Sequence, residues 1–348
     1  MRPREFLRLA LAGLVLAPLL RAWDHPGHSI VNQIALSSLP ADFPAFVRDP
    51  ANVARIEFLS GEPDRWSHAP ELPIHHYNWP DHYFDLEQIG WAGLDLNTLP
   101  SFRYVFTAQF AVARAAHAAA FPPIEADKNA DHTRELCGFL PWTVAEQYGM
   151  LKTAFASLKA YEEFGTPEEI ANARADVVYT MGIMGHYVGD SAQPLHATVH
   201  HAGWTGDNPH GYTTWPKIHS WIDGGLIRKS NIVYADLASR VTPAAMLPLT
   251  SRPDGRDPVF VTSLEFIMAQ NKLVEPLYQM EKAGKLGNQD PAKPVSAEGR
   301  RFVEDQLLKG GEMLGSLWLA AWRTSAPDSY LHSVLQLRHQ PATAKTQP

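Results

Sequence analysis

Gly185-His186-Tyr187-Val188-Gly189-Asp190-Ser191-Ala192-Gln193-Pro194-Leu195-His196 sets three side chains of metal-ligand type at H-x3-D-x5-H spacing, and H-x3-D returns at His219-Ser220-Trp221-Ile222-Asp223. Residues four apart on a helix share a face, so each His/Asp pair can close on one cation. Upstream, Thr166-Pro167-Glu168-Glu169 combines a capping hydroxyl, a proline at the first helical position and a glutamate at the third, the signature of a helix start. The apolar pattern from there predicts a helix of about 24 residues reaching Asp190, and so about 36 Å long. His186 and Asp190 then lie at its far end. Gly182, Gly185 and Gly189 thin the side-chain wall there, which admits either a neighbouring helix or a metal ion.

Helical periodicity continues on both sides. Ile30, Val31, Ile34 and Ala35 form one stripe, 102–120 and 142–164 read likewise, and further helices are expected over 216–228, 261–283 and 297–324. Pro-rich polar joints such as Arg252-Pro253-Asp254-Gly255-Arg256-Asp257-Pro258 separate them. No alternation of strand type and no fixed-period repeat is visible. The expectation is an all-α fold, a single multi-helix domain over 23–339 with a polar tail at 340–348.

Residues 1–22 carry Arg2, Arg4 and Arg8, then an apolar run from Leu9 to Leu20, then Ala22 before Trp23. That is the layout of a secretory signal peptide, too short for a membrane anchor. Cleavage between Ala22 and Trp23 is expected, giving a secreted or periplasmic protein without stable membrane association, and no protein partner is indicated. Cys137 is the one cysteine, which excludes an internal disulfide and reads as a small buried hydrophobe. Formal charge is -7, and -10 without residues 1–22, which hold four arginines and one glutamate. A protein that grips duplex backbone with Lys and Arg has the opposite balance. Bound divalent cations would instead supply positive charge locally, inside one cleft.

Zinc takes histidine nitrogen and aspartate oxygen where thiolates are absent. The chain offers more such ligands than one ion needs. His186 pairs with Asp190, and His196 groups with His219 and Asp223. Glu62-Pro63-Asp64-Arg65-Trp66 and Asp81-His82-Tyr83-Phe84-Asp85 offer Asp64 and His82 from apparent loops. Trp23 to His28 adds a histidine and, after cleavage, a free amine. His75 and His76 rival His82, and His25 rivals His28. An isolated histidine is more often a hydrogen-bonded structural residue, but two H-x3-D pairs so close in the chain point to a multi-zinc hydrolase.

On these residues the chain resembles the zinc-dependent phospholipase C and single-strand-specific nuclease superfamily, over residues 23–227. The resemblance implies an all-α fold around a trinuclear zinc cleft and a mature chain whose first tryptophan ligates metal through its amino group and carbonyl. It implies three Zn2+: the first on Asp64, His82, His186 and Asp190, the second on His196, His219 and Asp223, the third on Trp23 and His28 with Asp190 bridging. Three spacings favour the nuclease branch: five residues from Trp23 to His28, twenty-three from His196 to His219, and aspartate at position 223. Glu62-Pro63-Asp64 departs toward the phospholipases. The implied activity is hydrolysis of single-stranded DNA, RNA and 3′-nucleotides to 5′-phosphate products by a metal-bridging hydroxide, with Asp64 orienting the attacking water. Tyr83 would stack a base, Asp85 accept its amino hydrogens and Arg65 help neutralise phosphate. Core packing is the rival reading for Tyr83 and Phe84, a surface ion pair for Arg65, and loop anchoring for Trp204 and Trp215. The alternative activities are a zinc-dependent phospholipase C releasing phosphorylated head groups, and a non-catalytic metal-binding protein.

Overall fold

The helix Pro167–Ala192 (α8) opens as its sequence dictates. The Glu169 amide donates to the Thr166 hydroxyl (3.2 Å), while the Thr166 amide donates back to the Glu169 carboxylate (2.9 Å), a reciprocal cap. Its first turns are exposed, but from Met181 to Ala192 every residue is buried. A helix that is covered all round needs neighbours on every side. Here they are α1 (His25–Ser38), α2 (Pro50–Leu59), α7 (Leu140–Phe164) and α14 (Ala297–Thr324).

The structure, a computed structural model, describes residues 25–338. The expected signal peptide at 1–22, its cleavage point, Trp23 and the tail at 340–348 lie outside the described residues. Among the described residues the fold is all-α, with a single isolated β-bridge between Phe84 and Gly138. Between α2 and α7 run α3 (Glu62–Ser67), α4 (Leu72–Asn78), α5 (Leu86–Trp91) and α6 (Arg103–Ala116). After α8 come α9 (Ile218–Ser220), α10 (Leu226–Ser230), α11 (Tyr234–Leu237), α12 (Pro258–Asn271) and α13 (Val274–Lys282), then α14 and α15 (Ser329–Arg338). No helix among them is long and apolar enough to cross a membrane.

Two expected helices are broken for identifiable reasons. The run at 261–283 divides into α12 and α13 because Pro276 has no amide proton and its ring clashes with the carbonyl four residues back, so it is tolerated only in the first turn of a new helix. The run at 216–228 is interrupted by a π-turn, Trp221–Gly225, between α9 and α10. Such turns concentrate at functional sites. The apparent loop around Asp64 is a correction of a different kind. It is the short helix α3, with Pro63 in its first turn, where proline is pre-organised for helix.

The glycines of α8 serve close helix packing. A Cβ on Gly182 would sit 2.5 Å from Leu59 Cβ, and one on Gly185 1.7 Å from Asn32 Oδ1. Asn32 uses that space to donate from Nδ2 to the Ile56 carbonyl (2.9 Å), tying α1 to α2 beneath α8. Phe84 packs as a core residue, edge-on to Trp142 at 5.4 Å, with Phe106 stacked on the same indole at 4.1 Å. Cys137 is buried beside them, and burial pushes its thiol well above the ordinary range. Gly185→Ala is expected to destabilise the protein by about 1–3 kcal/mol through overpacking. Gly149→Ala, at an exposed position of α7 with nothing within 4 Å of the new methyl, is expected to stabilise it by about 0.5–1 kcal/mol. Thermal melts followed by circular dichroism check both; equal shifts would remove the packing argument.

Candidate metal centre

Seven separate segments deliver the ligand-type side chains to one place. His28 comes from α1, Asp64 from α3, His82 from the 3-10 turn Trp79–His82, and His186 and Asp190 from the buried end of α8. His196 comes from the turn Pro194–Ala197, His219 from α9 and Asp223 from the π-turn. They form three groups: His28, His186 and Asp190; Asp64, His82 and His186; His196, His219 and Asp223, with the donor atoms of each group within 4.8 Å of one another. Asp190 is the hub. Its carboxylate lies 3.5 Å from His28 Nε2, 3.1 Å from His82 Nδ1, 3.4 Å from His186 Nε2 and 3.8 Å from His196 Nε2. At the other end of the centre, His219 Nε2 is 2.9 Å from Asp223 Oδ2 and 3.1 Å from His196 Nε2. The π-turn thus keeps His219 and Asp223 side by side despite its wider winding.

Backbone carbonyls orient the rings. His186 Nδ1 donates to the Ser60 carbonyl (2.7 Å) and His196 Nδ1 to the His82 carbonyl (2.6 Å). A carbonyl only accepts, so the proton sits on Nδ1 and Nε2 keeps its lone pair for the centre. The Phe84 amide returns a bond to the His196 carbonyl (2.8 Å), locking the His82 and His196 turns together. From outside, the Asp85 amide bonds the Cys137 carbonyl (2.7 Å) and the Leu140 amide the Tyr83 carbonyl (3.1 Å). That approach requires Gly138, at φ +92°, where a Cβ would fall 2.0 Å from the Tyr83 oxygen.

Burial dominates the electrostatics. It lowers the pKa of His82 to about 4, of His196 to about 3 and of His219 to about 4, and takes His28 and His186 down as well. The imidazoles are therefore neutral at pH 7, the form that ligates metal. The same burial raises Asp190 and, further, Asp223. Side chains alone leave several polar atoms unmatched. Both ring nitrogens of His28, His82 Nε2, Asp190 Oδ1 and Asp223 Oδ2 are buried without a hydrogen-bond partner. Orphan atoms of this kind are costly in a core and call for an explanation. Divalent cations fit them. Ligand atoms about 2.0–2.1 Å from a tetrahedral zinc lie on the order of 3.3 Å apart, and the donor pairs here run from 2.9 to 3.8 Å within groups no wider than 4.8 Å. A histidine and aspartate set without thiolates suits zinc.

The rival ligands lie elsewhere. His75 Nδ1 is 2.7 Å from Asp131 Oδ2 and its ring stacks on Trp79, while His76 Nδ1 is 2.7 Å from the Asp131 carbonyl. His25 is exposed and belongs to none of the three groups. Arg65 pairs with Glu62 and lies over the Phe58 ring at 4.5 Å, the surface ion pair weighed against phosphate binding. Tyr83 is half-buried. Asp85 is buried, accepts from Gln88 (2.8 Å) through Oδ2, and has Oδ1 without a partner; burial pushes it up to about 8. Trp204 stacks on His200 at 4.0 Å and meets Tyr278 edge-on, so it anchors its loop. Two residues were missed by sequence reasoning. His201 lies with its ring 6.1 Å from that of His219, and Gln193 donates to Asp223. Gln193 stands inside the D-x5-H motif, but nothing about a single amide marks it.

No family model and no curated protein matches the chain. Among solved structures it is similar to the crystal structure of Clostridium perfringens alpha-toxin isolated from avian strain SWCP, at 13% identity and a TM-score of 0.38, over 92% of this chain and 67% of that one. A correspondence this loose carries no argument about substrate or residues. None of the comparisons supports the nuclease branch.

Proposed function

We propose that this protein is a zinc-dependent phosphoric ester hydrolase whose substrates are single-stranded nucleic acids and 3′-nucleotides. The observation that carries the hydrolase reading is Asp190, fully buried, with nitrogens of four histidines from four segments within 3.8 Å of it. Asp64, His82, His186 and Asp190 would hold one zinc, His196, His219 and Asp223 a second, and His28 with Asp190 and the amino end of Trp23 a third. Zinc there supplies Lewis acidity toward phosphate and water at neutral pH. Asp64 is the least buried acidic donor, with 14% of its side chain exposed. It can therefore accept a hydrogen bond from a water entering from solvent, which makes it the residue that orients the attacking water. The nucleic-acid reading draws on the segment after His82: half-buried Tyr83 would offer a ring face, and Asp85, buried two residues on with Oδ1 unpartnered, would be the group that hydrogen-bonds a base edge. Stacking accepts any base, worth about 1–3 kcal/mol each.

A second reading, phospholipase C, is favoured by a different feature. Leu72, Ile74 and Tyr77 are exposed on α4, in the chain between Asp64 and His82. Phe102 and Tyr104 are exposed at the start of α6, where Arg103 pairs with Asp81 beside His82 (2.5 Å). Exposed apolar groups near a phosphoesterase site suit a lipid surface.

Incubating zinc-loaded protein with single-stranded DNA, 3′-AMP and phosphatidylcholine vesicles is expected to yield 5′-phosphate ends and adenosine. Phosphocholine as the one product would transfer the assignment to the second reading, and no turnover at full zinc occupancy would sink both. Asp190→Asn is expected to lose at least one zinc by mass spectrometry and roughly 10²–10³-fold in rate, the scale of one broken buried charge pair. Zinc at a hundredfold excess over its Kd should stabilise the fold by about 2.7 kcal/mol per site, read as a calorimetric melting shift that a chelator reverses. An unchanged melt would speak against bound metal.

A further inference from the structure

Gln193 ends α8 three residues after Asp190 and begins the turn that carries His196. Its side chain is fully buried. Oε1 accepts from the Leu195 amide (2.6 Å), and Nε2 donates to Asp223 Oδ1 (2.6 Å). The two ends of an amide are close in size, so partners decide which way it faces. The Leu195 amide can only donate, which places the oxygen there and turns the NH2 toward Asp223. That carboxylate is buried as well. With Oδ1 engaged, Oδ2 is the oxygen left over; it has no hydrogen-bond donor and lies 2.9 Å from His219 Nε2.

We propose that Gln193 is a positioning residue for the cation held by His196, His219 and Asp223. One amide ties the turn bearing His196 to the helix bearing Asp223 and selects the carboxylate oxygen that faces the metal. The terminal torsion of an aspartate is soft and roughly two-fold, so without this bond the carboxylate can rotate away from the geometry that His196 and His219 require. The inference rests on the metal-centre reading.

Two variants separate the two ends of the amide. Gln193→Glu keeps an oxygen to accept from Leu195 but removes the donor to Asp223, and Gln193→Leu keeps the bulk without either bond. Zinc affinity and stoichiometry by competition with a chromophoric chelator, together with the absorption spectrum of the Co2+-substituted protein, need no substrate. Both variants are expected to weaken one zinc equivalent by about 10–100-fold, the usual effect of losing a partner behind a metal ligand, with the other zincs unchanged and one component of the Co2+ spectrum altered. Uniform weakening of every zinc, no weakening, or weakening in Gln193→Leu alone overturns the proposal. So does failure of both variants to fold, which would mark the residue as structural; if Gln193→Leu alone misfolds, Gln193→Glu decides. Wild-type protein that binds no zinc would remove the metal-centre reading itself, a result distinct from any of these.

Discussion

Asp190 is placed where a carboxylate is hardest to keep. It has no exposed surface, it is flanked by helices on every side, and burial pushes its carboxyl toward the protonated form. An uncompensated ion in such a place costs several kcal/mol, on the order of half the net stability of a domain. Four imidazoles surround it, all driven toward the neutral form by the same burial, so they do not neutralise it. Added positive charge at this point would compensate the buried carboxylate and use the histidine nitrogens left without partners. Asp190 also lies in the last turn of α8, where unsatisfied carbonyls give the helix end a partial negative charge that favours a cation further.

The rest of the architecture follows from holding this cluster still. The rigid elements carry the first group: α8 supplies His186, which also belongs to the second, and Asp190, and α1 supplies His28 with Asn32 one turn along, bonded to α2. The shorter elements carry the others, and the two that bear His82 and His196 are pinned by backbone. His82 and His196 sit on two turns, far apart in the chain, that exchange hydrogen bonds with each other, under a cover at 137–140 that only a glycine at 138 permits. A centre assembled from seven segments would be loose if each depended on its own side-chain packing. Carbonyl tethers on the histidine rings and amide ties between turns remove that freedom.

What the sequence made legible is the part with a short period. The capping box at Thr166, the apolar runs of α7, α8 and α14 and the two H-x3-D pairs each occupy one local stretch, so spacing alone states their geometry. His82 could not be separated from His75 and His76 that way, because the three lie within eight residues and what removes His75 and His76 is Asp131, far along the chain. The helical state of Glu62–Ser67 was hidden by its length, since six residues give no periodicity. The π-turn at Asp223 and the bond from Gln193 are tertiary features with no local pattern.

The pattern of burial also bears on how an acidic chain could act on phosphate esters, as proposed. With a formal charge of -7, the surface as a whole repels polyanions, and long-range steering toward nucleic acid or anionic lipid is weak or adverse. On the proposed reading, attraction would be short-ranged and come from the buried ligand cluster. Cations held among these buried ligands would act in a medium where charges are poorly screened, so their pull on a nearby phosphate would be strong, while at a distance beyond the Debye length, about 8 Å at physiological salt, it would be cancelled by the surrounding carboxylates. A substrate of such a centre would have to bring its phosphate down to the metals. An extended duplex, stiff and held at the surface by its own charge, is poorly suited to that; a bent single strand or a single head group is not.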